Sequence, residues 1–201
     1  MKVRLYVEGG GDSSELIRRR TAAFTKLLEK AGFKGRMPSI RPCGSRRSAY
    51  EDFSTAQKTR GENDYPILLV DSETVVTLAP WEHLKARRED NWDRPDGAED
   101  EQAQLMVTCM ETWIVADRAA LKKVFKQGFN EGVLPPQEDL EQRTKEEVQQ
   151  KLEDATHACG RDRKYEKGKR SFQLAEELNP DTLEPLLPHF SRLKETLNRK
   201  L

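Results

Sequence analysis

Three short acidic motifs each stand at the end of an apolar run, and their side chains are of the kind that hold a divalent cation. EGGGD at residues 8–12 follows the apolar-rich residues 3–7. Asp71-Ser72-Glu73 follows residues 67–70, and Met110-Glu111 follows residues 105–109. Carboxylates placed just past strand ends gather at one edge of a parallel sheet, where open α/β sheets form their ligand crevices. Hard cations such as Mg2+ take oxygen donors of this sort. Glu8, Asp12, Asp71, Glu73 and Glu111 are therefore the candidate metal ligands, and Mg2+ or Mn2+ the candidate cofactor. Two ions about 4 Å apart would both activate a water and offset the charge that builds up in phosphodiester hydrolysis, so a pair of ions is expected. The glycines between Glu8 and Asp12 permit a tight turn that lets both face one crevice, and the i, i+2 spacing of Asp71 and Glu73 on an extended chain puts both on the same side. The competing reading is ordinary solvated polarity at strand ends, in a chain with 35 acidic residues.

Other chemistries fit less well. A glycine-rich loop opening a helix can cradle phosphate, but neither GxxxxGK[ST] nor GxGxxG is present. His83, His157 and His189 lie far apart with no ligand spacing, and Ser13 reads as a helix cap rather than a nucleophile. The basic residues are more suggestive. Arg161, Arg163, Lys164, Lys167, Lys169 and Arg170 fall within one short stretch with Tyr165 among them, a pattern that can grip a phosphate backbone and offer a ring for stacking. Arg46 and Arg47 after Gly44 are placed to line the crevice rim. Arg46, Arg47, Arg161, Arg163, Lys164 and Arg170 are thus the candidate nucleic-acid contacts, and Lys167 and Lys169 the candidates for steadying transition-state charge. A solvated loop explains the basic stretch equally well, and the run Arg18-Arg19-Arg20 reads as a solvated helix face. Asp117 reads as the cap of the helix that follows it.

The elements that must position these residues alternate. Residues 3–7 read as a strand, 13–31 as a helix, 37–42 as a strand, 49–58 as a helix and 66–70 as a buried strand. Residues 80–104, rich in charge, read as a long, partly ordered excursion. A strand over 105–109 and one helix over 112–125, with Trp113, Ile114 and Phe125 as core, close the first part. Helices are then predicted over 145–156, 171–178 and 186–197. The expectation is an α/β fold with a parallel-rich sheet flanked by helices, residues 1–127, and a helical C-terminal extension, residues 128–201, packed on the same core. The 35 basic and 35 acidic side chains cancel, so attraction to a polyanion must come from local patches. Cys43, Cys109 and Cys159 show no paired spacing, which fits a reducing compartment. No apolar stretch approaches the roughly 20 residues of a membrane span, so a cytoplasmic protein is expected.

The Glu8 turn followed by a helix, and the Asp71-Ser72-Glu73 pair after a hydrophobic strand, resemble the Toprim fold of topoisomerases, primases and OLD-family nucleases. The pair departs from strict DxD by one methylene. Longer stretches, RPCGSRRSAYEDF (41–53), LLVDSE (68–73), LMVTCMETWIVAD (105–117) and YEKGKRSF (165–172), resemble successive blocks of the RloG-like Toprim family, whose members are often encoded beside ATPases in bacterial defence islands. The resemblance implies a Toprim-like fold and a metal-dependent nuclease, the effector of an antiphage system gated by an ABC-type or AAA-type ATPase. Glu8 would bind metal or move a proton, Asp71 and Glu73 would bind metal, Asp12 and Glu111 would supplement them, and Lys167 or Lys169 would stabilise charge. A scaffold that keeps the carboxylates but only binds a partner ATPase or nucleic acid is the alternative.

Overall fold

In the computed structural model, which describes residues 1–9, 13–160 and 163–201, four strands form one all-parallel sheet in the order β2-β1-β3-β4. They are β1 (Lys2–Val7), β2 (Ser39–Pro42), β3 (Asp64–Asp71) and β4 (Ala103–Met106). Register pairs Leu5 with Ile40 on one side and Ile67 on the other, and Val70 with Leu105. The chain thus steps from β1 outward to β2, then returns past β1 to β3. The order of strands reverses between β1 and β3, and a crevice opens beyond their carboxyl ends at such a point. Glu8 follows β1 and Asp71 ends β3.

Nearly every residue of β3 is buried because the sheet is covered on both faces. Ile67 and Leu69 join one hydrophobic cluster, and Leu68 and Val70 the other. On the second face lie α2 (Arg46–Lys58) and α3 (Pro80–Ala86), bringing Phe53, Trp81 and Leu84 against the strand. On the first face lie α1 (Ser14–Leu28), α4 (Met110–Ala116), α5 (Arg118–Phe125) and the C-terminal helices α6 (Lys145–Thr156), α7 (Lys169–Glu177), α8 (Pro180–Leu186) and α9 (Pro188–Lys200). Trp113 meets Phe24 of α1 edge-on at 6.4 Å between ring centres and Phe190 of α9 at 5.1 Å. Side chains from before and after residue 128 therefore share one core. Among the described residues, no helix is long and apolar enough to cross a membrane.

Several elements differ from the sequence pattern. The stretch 80–104 is packed rather than loose: Trp81 donates from Nε1 to the Glu99 carbonyl at 3.0 Å, and Trp92 stacks on Tyr50 with ring centres 4.5 Å apart. Its tryptophans anchor it to α2 despite its charge. The strand expected over 105–109 runs Ala103–Met106, and α8 had no counterpart in the expected pattern. The single helix expected over 112–125 is two, broken at Asp117, whose backbone leaves the helical region. Asp117 is a cap as read: its Oδ1 accepts from the Ala120 N–H at 2.9 Å and its Oδ2 from the Asn179 N–H at 2.8 Å. Ser13 caps α1 by accepting from the Leu16 N–H.

Because the buried Asp117 carboxylate serves both the start of α5 and the entry to α8, Asp117→Ala should lower the unfolding free energy by about 1–3 kcal/mol, measured as a shift of the urea midpoint. An unmoved midpoint would mean that neither bond contributes.

Candidate functional site

Glu8, Asp71 and Glu73 converge, each offering a carboxylate oxygen within 4.8 Å of the others. Their routes differ. Glu8 leaves β1 with its N–H given to the Leu69 carbonyl, and its Oε2 accepts from the Asp71 N–H at 3.0 Å. Asp71 closes β3, and its Oδ1 accepts from the Met110 N–H at 3.0 Å. Glu73 does not arrive by strand alternation, as the spacing suggested, since β3 has already ended. It sits in the left-handed region at φ 68°, pinned by its N–H to the Thr108 carbonyl and by the preceding Ser72 N–H to the Met106 carbonyl. A non-glycine residue held there costs of order 1–3 kcal/mol, which persists only where its surroundings impose it.

Two cations brace the cluster. Arg46, from the first turn of α2, donates from Nη1 to Glu8 Oε2 at 3.1 Å and also to the Asp71 carbonyl, while Nε and Nη2 grip both oxygens of Asp90 at 2.9 and 2.6 Å. It lies 4.8 Å from the Trp92 ring centre. It is a strut of the site and not the rim cation expected. Lys145 enters from the other side: its Nζ is 2.7 Å from both Glu73 oxygens and 3.5 Å from Asp71 Oδ2. Sequence reasoning missed Lys145, although there was a signal. It occupies the first position of α6, where a lysine faces the positive end of the helix dipole and is disfavoured unless an anion holds it.

Charge follows burial. Asp71 is pushed up to about 8, by loss of water and by the Glu8 charge, against the pull of Lys145. Burial also raises Glu8, with Arg46 and the Asp71 N–H opposing it. Burial lowers Lys145, but Asp71 and Glu73 outweigh that and hold it above the ordinary lysine range.

The remaining predicted residues are dispersed. Glu111 lines the same cavity but stands apart from the triad. Its oxygens accept from the Tyr165 hydroxyl at 2.6 Å and the Gln149 amide at 3.3 Å. Burial raises it, yet Tyr165, the Lys167 charge and Gln149 prevail and it ends below the usual carboxylate range. Tyr165 is thereby buried and cannot stack on a base. Lys167 lines the cavity. Arg163 is exposed, Lys164 lines a separate groove with His157, and Arg170 bonds Gln173. Arg47 is exposed and paired with Glu51. Asp12, Arg161 and the Lys169 side chain lie outside the described residues. Arg20, read as solvated, is wholly buried against Gly9, where an added Cβ would come within 2.3 Å of its Nε.

The family described as a domain of unknown function, DUF4276, matches residues 7–198. The chain belongs to this family. No curated protein and no solved structure matches this DUF4276 chain. The family's description carries no activity, so the reading of function rests on the site.

In the unfolded chain Asp71 titrates near its ordinary 3.8, and in the folded chain near 8. Between those values the native state binds the extra proton, so the metal-free fold loses stability as pH rises through that window. The unfolding free energy of the metal-free protein, from urea titration, should fall from pH 6 to about pH 8, and Asp71→Asn should flatten the fall and exceed wild type at the alkaline end by about 1–3 kcal/mol. A parallel decline in the variant would place the cause elsewhere.

Proposed function

We propose that this DUF4276 chain is a divalent-metal-dependent phosphodiesterase acting on nucleic acid. The carrying observation is the clustering of Glu8, Asp71 and Glu73, with oxygens within 4.8 Å, at the strand-order reversal of a parallel sheet. The donor set fits a hard cation such as Mg2+ or Mn2+. Three carboxylates face one lysine and one arginine charge there, and Asp71 and Glu8 are raised first by burial and then by their carboxylate neighbours, a cost that a bound cation would offset. When bound, such an ion supplies Lewis acidity and an acidified water.

The chain's own groups supply the rest. Arg46 and the Asp71 N–H fix Glu8, and the Met110 N–H fixes Asp71, so the donors are set before anything binds. Glu8, whose carboxyl burial raises, is the group suited to moving a proton. Lys145 keeps its proton and can set its charge against phosphoryl oxygens, with Lys167 lining the same cavity. The resemblance to RloG-like proteins adds a gating ABC-type or AAA-type ATPase and a role in bacterial antiphage defence.

One observation favours a second reading. The Lys145 ammonium already bridges Glu73 and Asp71, so the triad can persist as an ion-pair network in a non-catalytic scaffold that docks to an ATPase or to nucleic acid.

Calorimetric titration with Mn2+, on wild type and the Asp71→Ala, Glu73→Ala double variant matched for folding by circular dichroism, separates the two. Binding by wild type and its loss in the variant, followed by metal-dependent cleavage of nucleic acid with the ATPase present, is the outcome expected. Absence of binding in wild type would leave the scaffold.

A further inference from the structure

The cavity that holds the carboxylates has a volume of about 450 Å3 and extends well beyond them. Beside Lys145, Lys167 and Ser171, its other walls carry an apolar set: Leu16 from α1, Met106 at the end of β4, Met110 from α4 and Phe172 from α7. A hydrated cation and a phosphate need no such walls, since both are small and polar. A mostly apolar recess of this size with a few converging polar groups is how proteins hold a small organic moiety. With a cation held at Glu8, Asp71 and Glu73, the occupant would join an apolar face to an anionic group, and a nucleobase joined to its backbone phosphate has that chemistry.

A second cavity, about 550 Å3, lies on the far side of Glu73 and shares that residue with the first. Arg47 and Arg87 line it beside the parallel Tyr50–Trp92 ring pair, whose planes differ by 3°. These arginines are matched by acids of the same lining, Arg47 by Glu51 and Arg87 by Glu89 and Asp90.

We infer that the substrate is single-stranded or locally unpaired nucleic acid, bound with one unstacked base in the apolar recess and its phosphate at the cation that Glu8, Asp71 and Glu73 would hold. This rests on the phosphodiesterase reading and narrows it. In a duplex the bases are stacked and paired inside, so a base reaches an enclosed pocket only after leaving the stack. Base contacts made through apolar surface tolerate any sequence, which matches a recess lined by leucine, methionine and phenylalanine.

The test is fluorescence anisotropy with short labelled DNA and RNA strands and with blunt duplexes of the same sequence, in Ca2+ to hold substrate without turnover. Leu16→Trp and Met110→Trp, both at partly exposed positions, fill the recess. Single strands should bind about tenfold or more tighter than duplex, and each tryptophan variant should lose about tenfold of that affinity. In wild type, a 2-aminopurine within the strand should brighten on binding as it leaves its neighbours, a readout that does not depend on the variants folding. Comparison of the DNA and RNA arms identifies the sugar. Equal affinity for duplex, unaltered binding by both variants, or an unchanged 2-aminopurine signal overturns the inference. Mn2+ calorimetry run beside it keeps the two readings distinct: duplex preference with intact metal binding sinks only the unpaired-base inference, whereas absence of metal binding sinks the phosphodiesterase reading itself.

Discussion

Three carboxylates held together where water is scarce are the constraint on which the rest of this structure turns. Like charges at such separation repel strongly once the dielectric falls, and each must be fixed by something stronger than its own preference for solvent. Arg46 answers Glu8, Asp90 answers Arg46, and Arg87 answers Asp90 at 2.8 Å, so charge alternates inward from the surface to the crevice. Lys145 does the same for Glu73 and Asp71 from the opposite side. Removing one member of such a chain strands its partner, which costs more than the pair itself contributes.

The two braces come from opposite faces of the sheet, which explains why both helical layers are needed. Arg46 opens α2, packed on the face that carries Phe53 and Trp81. Lys145 opens α6, in the layer built on Trp113 and the C-terminal helices. The helices after residue 128 therefore complete the site as well as the core. Arg20 shows the same economy at smaller scale. Buried against Gly9 and 5.6 Å from the Phe172 ring centre, it ties the backbone after β1 to α7.

How much of this was legible from the chain alone varied with the physics involved. Strand β3 was plain because a doubly covered strand must be continuously apolar, and the carboxylates past β1 and β3 followed from where parallel strands end. Helix caps were plain at Ser13 and Asp117 because the bond is local. Long-range pairings were not. Nothing near Arg46 in sequence announces Asp90, 44 residues on, and nothing near Arg20 announces that it is buried. The route of Glu73 was misread because strand spacing was extended past the point where β3 stops. In the basic stretch the stacking role expected of Tyr165 was misread, because that ring turns inward to Glu111 while Arg163 faces solvent.

Glu111 and Asp71 show why position past a strand end is not enough to make a ligand. Both line one cavity, both are buried, and desolvation raises both. Glu111 meets two neutral donors, the Tyr165 hydroxyl and the Gln149 amide, and the Lys167 charge, so its negative charge is satisfied within the protein and it settles below the ordinary range. Asp71 meets one backbone N–H, one ammonium at 3.5 Å and the charges of Glu8, Glu111 and Glu73, and burial with those charges makes it rise. Environments that drive two carboxyls apart in this way divide their labour. The satisfied one is an anchor for the Tyr165 segment, and the unsatisfied one is where an added positive charge gains most.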